Sequence, residues 1–156
     1  YRIDDRLIHG QVVEAWVPHL KIAEIVVVSD ELAADDIRRA IMRFSTPEGV
    51  ELKILKVQEA FEYLNGAPGP QNILALLPGL KEAADLLSKG LKIPSLNIGG
   101  MHYVPGKRKL MDVLAVEDAD LAALKELAAQ GIKIDVQTVP NQRPVPLEKI
   151  FTTCHV

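Results

Sequence analysis

The run Glu24-Ile25-Val26-Val27-Val28-Ser29 predicts the fold of this chain more directly than any other segment. Its β-branched residues do not alternate with polar ones, which is the pattern of a strand that is covered on both faces. Strands of this kind belong to parallel sheets that lie between layers of helices. Farther along the chain, residues 72–77 predict another buried strand, and residues 95–98 predict a further one. The sequence therefore indicates an α/β fold.

Segments with helical spacing separate these strands. A short buried helix is predicted over about 11–20, where Pro18 is expected to bend it or end it early. Ser29 is expected to cap the next helix, over about 31–45. We expect that helix to cover the sheet with an apolar stripe and to turn its arginines outward. The stripe consists of Ile37, Ala40, Ile41 and Phe44.

The remaining elements continue the alternation. Further strands are predicted over 50–55, 110–116 and 132–139, and further helices over 57–65, 80–90 and 118–131; residues 66–70 are predicted to form a loop, and Pro-rich loops and a short turn to end the chain. This order predicts a single domain over residues 1–156, with a mostly parallel central sheet of about six to seven strands and helices on both faces. Tyr1 to Ile3 resemble the last residues of a strand whose earlier part is missing from the sequence.

Composition excludes several classes of function. The net charge of −3 and the pI near 5.8 argue against nucleic acid as the main partner, because nucleic-acid binding rests on a basic surface. The single cysteine, Cys154, excludes an internal disulfide and is typical of a reducing cytosol. No apolar run approaches the length of a membrane span. His19, His102 and His155 lack acidic or cysteine partners at metal-binding spacing, so no metal site is predicted. No cofactor is predicted either.

The opening loop carries the chemistry. Parallel sheets bind ligands at the carboxyl ends of their strands, and a histidine on a loop at that edge can accept a phosphoryl group covalently. His9 is the candidate nucleophile, and Arg6 is the candidate cation for the phosphoryl oxygens. Free N–H groups at the helix start, Gly10-Gln11, are expected to bind the same oxygens. Either Asp4 or Asp5 could fix the tautomer of the ring, and both are also plausible braces of the loop.

Three further residues lie at the same edge. Ser29 ends the predicted strand that begins at Glu24, and it could hydrogen-bond the loop or only cap a helix. Gly99 and Gly100 follow another strand; they could let the backbone approach a phosphate, although a tight turn explains a Gly-Gly pair equally well.

The same residues carry a resemblance to a known family. The stretch Arg2-Ile-Asp-Asp-Arg-Leu-Ile-His-Gly-Gln-Val12 resembles the active-site motif of the EIIB component of the mannose/fructose/sorbose family of the bacterial sugar phosphotransferase system. The stretch 25–35 resembles the second strand and helix start of that family, and Asn97-Ile-Gly-Gly-Met101 with Gly106-Lys107 resembles its later signature. With the element order, the resemblance covers nearly the whole chain.

The resemblance implies a phosphotransferase that carries a phosphoryl group on a histidine. It implies that His9 is phosphorylated on Nδ1 by a phosphohistidine of an EIIA partner, and that Arg6 lines its loop. The phosphoryl group then passes to a hexose-type sugar that the membrane components EIIC and EIID import, which places the protein in the cytoplasm, peripherally at the permease. The resemblance identifies neither the sugar nor the oligomeric state, for which a dimer is one possibility.

Two alternatives remain at this stage. One is a regulatory module on the same fold, which senses phosphorylation without passing phosphate to sugar. The other is a nucleotide- or small-molecule-binding domain, which rests on the fold alone and ignores the motif.

Overall fold

The computed structural model describes residues 1–66 and 72–156. Its strands are β1 (Arg2–Asp4), β2 (Glu24–Val28), β3 (Glu51–Leu55), β4 (Ile73–Leu77), β5 (Ser95–Gly100), β6 (Arg108–Met111), β7 (Leu114–Val116), β8 (Lys133–Val136) and β9 (Val145–Pro146). Its helices are α1, which joins a π-helical part (Gln11–Trp16) to an α-helical turn (Val17–Leu20), α2 (Asp30–Ala33), α3 (Asp36–Ser45), α4 (Val57–Gly66), α5 (Leu80–Ser88), α6 (Asp118–Ala129) and α7 (Leu147–Cys154). The loop predicted over 66–70 lies outside the described residues, apart from Gly66, which ends α4.

Seven strands form the central sheet in the order β3-β2-β4-β1-β5-β8-β9. All neighbouring strands run parallel except β8 and β9, which are antiparallel. The run at 24–28 is buried along its whole length. Its side chains alternate between the two faces of the sheet, as strand geometry requires, so that Ile25 and Val27 belong to one core and Val26 and Val28 to the other. The predicted mostly parallel α/β sheet is confirmed.

Helices cover both faces of the sheet. Val12 and Val17 of α1 and Leu32 of α2 pack into the core that contains Ile25. The opposite core takes its helical side chains from α4, α5, α6 and α7. Pro18 does not end α1, because it lies in the first turn of the α-helical part, where its missing N–H is tolerated.

The segment 31–45 departs from the prediction in two ways. It forms two helices, since Ser29 Oγ accepts a hydrogen bond from Leu32 N at the start of α2, and Asp35 Oδ1 accepts one from Arg38 N at the start of α3. Moreover, α3 turns Met42 toward the core, so the predicted core-facing stripe points to solvent. Ile37 is 75% exposed, Ile41 57% and Phe44 95%.

The last third of the chain contains three elements that the sequence did not predict. Residues 110–116 do not form one strand, because β6 and β7 pair as an antiparallel hairpin. The predicted strand over 132–139 stops at Val136, and β9 returns along it through the Pro-rich segment. The predicted short terminal turn is instead α7, whose Leu147 and Ile150 are buried. The hairpin and the β8–β9 pair join segments that are close in sequence, whereas α7 also contacts distant segments, for example Leu110 through Cys154.

Candidate functional site

The opening loop leaves the sheet at the carboxyl end of β1, between β4 and β5. Leu7 N donates a hydrogen bond to the carbonyl of Asp4 at 2.9 Å, which closes a turn. Leu7 has φ 55°, a left-handed conformation that costs a non-glycine residue roughly 1–2 kcal/mol. Burial of the Leu7 and Ile8 side chains offsets that cost, since a buried leucine or isoleucine contributes about 1.5–3 kcal/mol. The loop is therefore held in one conformation.

Asp4 lies at the centre of the site and is fully buried. Its Oδ2 accepts hydrogen bonds from Arg2 Nη2 at 3.0 Å and from His9 Nε2 at 2.9 Å. Its Oδ1 accepts from Arg6 Nε at 3.3 Å. Burial raises the pKa of the Asp4 carboxyl, but the hydrogen bond from His9 and the charges of His9, Arg2 and Arg6 outweigh burial and hold that pKa below its usual range. Asp4 is thus an ionised carboxylate at neutral pH.

Arg2 is the buried cation that fixes the position of Asp4. The guanidinium is 2% exposed and donates to the backbone carbonyls of Gln137 at 2.9 Å and Thr138 at 3.1 Å. It also hydrogen-bonds Asn97 and lies 5.1 Å from the ring centre of Trp16, a cation–π distance. A side chain at Gly99 would overlap this guanidinium. The glycine predicted to let backbone approach a phosphate therefore makes room for Arg2.

His9 presents one ring nitrogen to Asp4 and leaves the other available. A carboxylate only accepts hydrogen bonds, so Nε2 carries the proton in that contact, and the neutral ring keeps its lone pair on Nδ1. Among residues 1–66 and 72–156, Nδ1 has no hydrogen-bond partner. The side chain of His9 is 16% exposed, which lets a reactant reach it. In this geometry, Nδ1 is the ring nitrogen that keeps a free lone pair.

Arg6 and the start of α1 surround the histidine with donors. Arg6 Nη2 donates to Gln11 Oε1 at 2.9 Å, and its side chain is 41% exposed. The N–H groups of Gly10 and Gln11 have no acceptor within the described parts of the chain, whereas Val12 N donates to the carbonyl of His9. Free N–H groups at a helix start and a guanidinium are the donors that anionic oxygens require.

Asp5 does not join this cluster. Its carboxylate accepts from His102 N at 2.7 Å and contacts His102 Nδ1 at 2.6 Å. A side chain at Gly100 would come within 2.7 Å of the His102 ring, so Gly100 gives that ring its space. Of the two aspartates left open by the sequence, Asp4 contacts the histidine, and Asp5 braces the loop after β5.

Ser29 lies near the loop without contacting His9. Its hydroxyl caps α2, as the sequence predicted. It also lines a cavity of about 440 Å³ to which Asp5 and Leu7 contribute, and His9 is not among the lining residues. The structure therefore brings together Asp4, Arg6, His9, Gly10 and Gln11, and it places the other candidate residues around them.

Sequence reasoning missed Arg2 and the residues that fix it. A signal was present, since Arg2 and Asp4 are two positions apart on a strand and therefore share a face. The contacts with Asn97, Gln137 and Thr138 had no local signal, because they join segments about a hundred residues apart. In the part of the chain that the structure covers, no group of three or more His, Cys, Asp or Glu side chains is arranged to bind a metal. No helix there has the length and apolarity to cross a membrane.

A buried carboxylate that orients an imidazole, next to a cation and free N–H groups, suits transfer of an anionic group to Nδ1. Comparison with known proteins agrees with this chemistry. A family model described as the PTS system sorbose subfamily IIB component, where PTS is the phosphotransferase system, matches residues 1–155. The chain belongs to this EIIB family. It is thus a component of a phosphotransferase system.

Individual relatives support the assignment. The EIIB chain is 36% identical over 140 residues to the sorbose-specific EIIB component of Lacticaseibacillus casei, covering 88% of this chain and 85% of that protein. It is also 36% identical over 139 residues to the mannose-specific EIIAB component of Escherichia coli K12; the match covers 88% of this chain and only 43% of that longer protein.

Solved structures confirm the fold. The IIB domain of the sorbose permease from Klebsiella pneumoniae superposes with a TM-score of 0.87 at 31% identity, covering 97% of this chain and 94% of that one. The N-acetylgalactosamine-specific IIB component 1 of E. coli gives a TM-score of 0.85 at 28% identity, covering 92% and 94% of the two chains.

Proposed function

We propose that this EIIB accepts a phosphoryl group on Nδ1 of His9 from a phosphohistidine of an EIIA protein and passes it to a hexose-type sugar. The observation that carries the proposal is the 2.9 Å contact between His9 Nε2 and the buried Asp4 carboxylate. That contact fixes the ring orientation and leaves Nδ1 as the only ring nitrogen with a free lone pair. Asp4 also stabilises the positive charge that the ring gains when Nδ1 forms its bond to phosphorus.

The first step is an in-line displacement at phosphorus. The Nδ1–P bond forms as the P–N bond of the donor breaks, and the imidazole of the donor leaves with that electron pair. Arg6 neutralises the non-bridging oxygens, because its guanidinium is held beside His9 by Asp4 and Gln11. The N–H groups of Gly10 and Gln11 bind the same oxygens. Positioning and electrostatics supply the rate enhancement, and the step requires no cofactor.

The second step regenerates His9. A sugar hydroxyl attacks phosphorus, the Nδ1–P bond breaks, and the hydroxyl proton is released. The sugar reaches His9 through the membrane components EIIC and EIID, so we place the protein on the cytoplasmic side of that permease. Membership of the EIIB family supports these partners, and the E. coli relative, whose name combines EIIA and EIIB, supports the EIIA donor.

The decisive experiment is phosphorylation from phosphoenolpyruvate with the general phosphotransferase proteins and a panel of EIIA proteins. We expect an acid-labile label in the wild-type protein and in His19→Ala, a matched control at an exposed histidine, and no label in His9→Ala. Two-dimensional ¹H–¹⁵N NMR of the phosphorylated ring should show substitution at Nδ1. A label that persists in His9→Ala, or substitution at Nε2, would refute the proposal.

Transfer to sugar needs a separate measurement. Membranes that contain EIIC and EIID, supplied with the labelled protein and a panel of hexoses, should yield a sugar phosphate while the label on His9 disappears. If the label instead remains on His9 with every sugar, the regulatory alternative is correct.

A further inference from the structure

The exposed apolar surface of α3 has no role in the proposed phosphoryl transfer. We name it the α3 stripe, and it consists of Ile37, Ala40, Ile41 and Phe44. All four side chains are exposed, and Phe44, at 95%, is almost wholly so. Burying an isoleucine or phenylalanine contributes about 1.5–3 kcal/mol. These side chains do not contribute that free energy in the isolated chain. A contiguous group of exposed apolar side chains is typical of an interaction surface.

The charges around the α3 stripe are divided along the helix. Glu31, Asp35 and Asp36 lie before or in the first turn of α3, and Arg43 lies in the last turn. At the N-terminal end, Glu31 and Asp36 are paired with Arg38 and Arg39 of α3, but both carboxylates stay exposed. The C-terminal end offers Arg43, a cation without an ion-pair partner in the described parts of the chain.

We propose that the α3 stripe is the contact surface of a symmetric homodimer, in which α3 packs antiparallel against α3 of a second copy. A twofold axis makes the interface self-complementary. With the axis near Ala40 and Ile41, Ile37 faces Phe44 of the second copy, and the small side chain of Ala40 allows the helices to approach closely. The same geometry places Asp36 opposite Arg43 of the second copy, at both ends of the interface.

This charge pattern favours a second copy over a lipid surface. An anionic bilayer would attract Arg38 and Arg43 on the two sides of the stripe, but it would repel Glu31, Asp35 and Asp36 at the N-terminal end. The homodimer instead pairs that acidic end with a basic one. The net charge of −3 also opposes an anionic surface.

The interface is small, and it is separate from the site. Stable interfaces bury about 1,200–2,000 Å² in total, and three large side chains per copy place this one at or below the lower end of that range. A weak, concentration-dependent dimer is therefore expected. α3 connects β2 to the edge strand β3, whereas His9 follows β1 in the middle of the sheet. Arg38 of α3 lines the cavity beside the opening loop, but no residue of the α3 stripe does, so the proposed contact does not include His9.

Sedimentation of the full chain from low-micromolar to near-millimolar concentration tests the proposal. We expect a monomer–dimer equilibrium whose dissociation constant rises about tenfold or more in Phe44→Gln, since each tenfold change corresponds to only 1.4 kcal/mol. Val104→Ser is the matched control, because Val104 is 51% exposed on another surface; it should leave the equilibrium unchanged. Circular dichroism verifies that both variants keep the fold.

A charge-reversal experiment tests the antiparallel geometry itself. Asp36→Arg and Arg43→Glu should each weaken the homodimer, because each puts like charges opposite one another at both ends. An equimolar mixture of the two variants should dimerise again, since arginine then faces glutamate at one end and aspartate at the other. Arg108→Glu, with the same charge change at an exposed residue of β6, should neither weaken the dimer nor restore it in a mixture.

Three results would overturn the proposal. They are a chain that stays monomeric over the whole concentration range, a dimer that Phe44→Gln leaves intact, and a mixture of the charge variants that remains monomeric. A monomer that nevertheless cosediments with phosphatidylglycerol vesicles through Phe44 would identify the α3 stripe as a lipid-binding surface instead.

Discussion

Two buried carboxylates lie at opposite edges of the same sheet, and only one of them contacts a histidine. Asp4 ends β1 at the carboxyl edge, and Glu24 begins β2 at the amino edge; both are fully buried. Glu24 contacts Lys53 Nζ at 2.8 Å and accepts from the Tyr63 hydroxyl at 2.9 Å. Each carboxylate therefore has a cation and a further donor, so burial and pairing do not distinguish the two.

The difference lies in the donors. His9 gives one nitrogen to Asp4 and keeps a second nitrogen that has no hydrogen-bond partner among the described residues. Glu24 instead accepts a hydrogen bond from the Tyr63 hydroxyl and forms an ion pair with the Lys53 ammonium. The edges differ as well, because helices begin at the carboxyl edge of a parallel sheet and offer free N–H groups there. Burial and pairing alone therefore do not identify a functional carboxylate. The carboxylate must also contact a side chain that has a free reactive atom beside anion-binding groups.

Replacing Asp4 should have the largest effect on function. In Asp4→Asn the amide N–H₂ can donate to Nε2 of His9, which moves the ring proton to Nδ1 and blocks the nucleophile. We expect the rate of phosphorylation by EIIA to fall about 10⁴-fold, in line with the loss seen when an orienting carboxylate becomes an amide. Single-turnover labelling measures it. A rate within a few-fold of wild type would mean that Asp4 does not set the tautomer.

Arg2→Met should reduce both stability and rate, because Arg2 is a positioning residue that acts through Asp4. Breaking a buried ion pair costs about 3–5 kcal/mol, and loss of an outer contact lowers activity roughly tenfold. Urea unfolding and labelling rates are the readouts. Lys53→Met is the matched control, since it removes the cation from Glu24; it should destabilise the fold and leave labelling unchanged. Equal effects of both variants on labelling would contradict a specific role of Arg2.

Glu24→Gln should affect stability alone. The substitution removes a charge-assisted interaction with Lys53, which contributes about 1.5–3 kcal/mol, while Lys53 keeps its contact with Glu51 at 2.6 Å. The free energy of unfolding should fall accordingly, and the labelling rate should stay as in wild type. A loss of labelling in a folded Glu24→Gln protein would remove the contrast between the two carboxylates.

The smallest expected effect is on the stability of the fold at acidic pH. Because the pKa of Asp4 is lower in the folded protein than in the unfolded chain, Asp4 stabilises the fold above its ordinary pKa near 3.9. That contribution disappears as the pH falls through the lower, folded pKa. The difference in unfolding free energy between wild type and Asp4→Asn should therefore shrink between about pH 5 and pH 2. A difference that is constant over this range would show that Asp4 has the same pKa in both states.

Much of the fold and part of the candidate site could be predicted from the sequence, because the signals were local. The apolar run at 24–28, the helix cap at Ser29 and the motif around His9 depend on neighbours within a few residues. The choice between Asp4 and Asp5 could not be predicted, since both are strand-end aspartates. Asp4 ends β1 on the same face as Arg2, whereas Asp5 lies in the turn that follows. The outcome also depends on His102, which is distant in sequence and takes Asp5 as its partner.

The α3 segment shows the same limit on a larger scale. Its helical periodicity was correct, but the orientation of its stripe was not, because periodicity identifies an apolar face without identifying what covers it. The cap at Asp35 separates α3 from α2, and Met42 supplies the contact with the core. Likewise, α7 contacts segments that are distant along the chain, and β9 pairs with β8 only because the Pro-rich segment between them turns back.

By itself, the sequence determined the alternation of buried strands and helices, the position of the His9 loop at the carboxyl edge, and the family to which these residues belong. Only the tertiary structure decided that Asp4 rather than Asp5 orients His9, that Arg2 and Gly99 support Asp4, and that the α3 stripe is exposed. The physical reason is that hydrophobic periodicity and capping act over one or two helical turns. Burial of a charge and the covering of an apolar face are instead settled by segments that meet only when the sheet is complete.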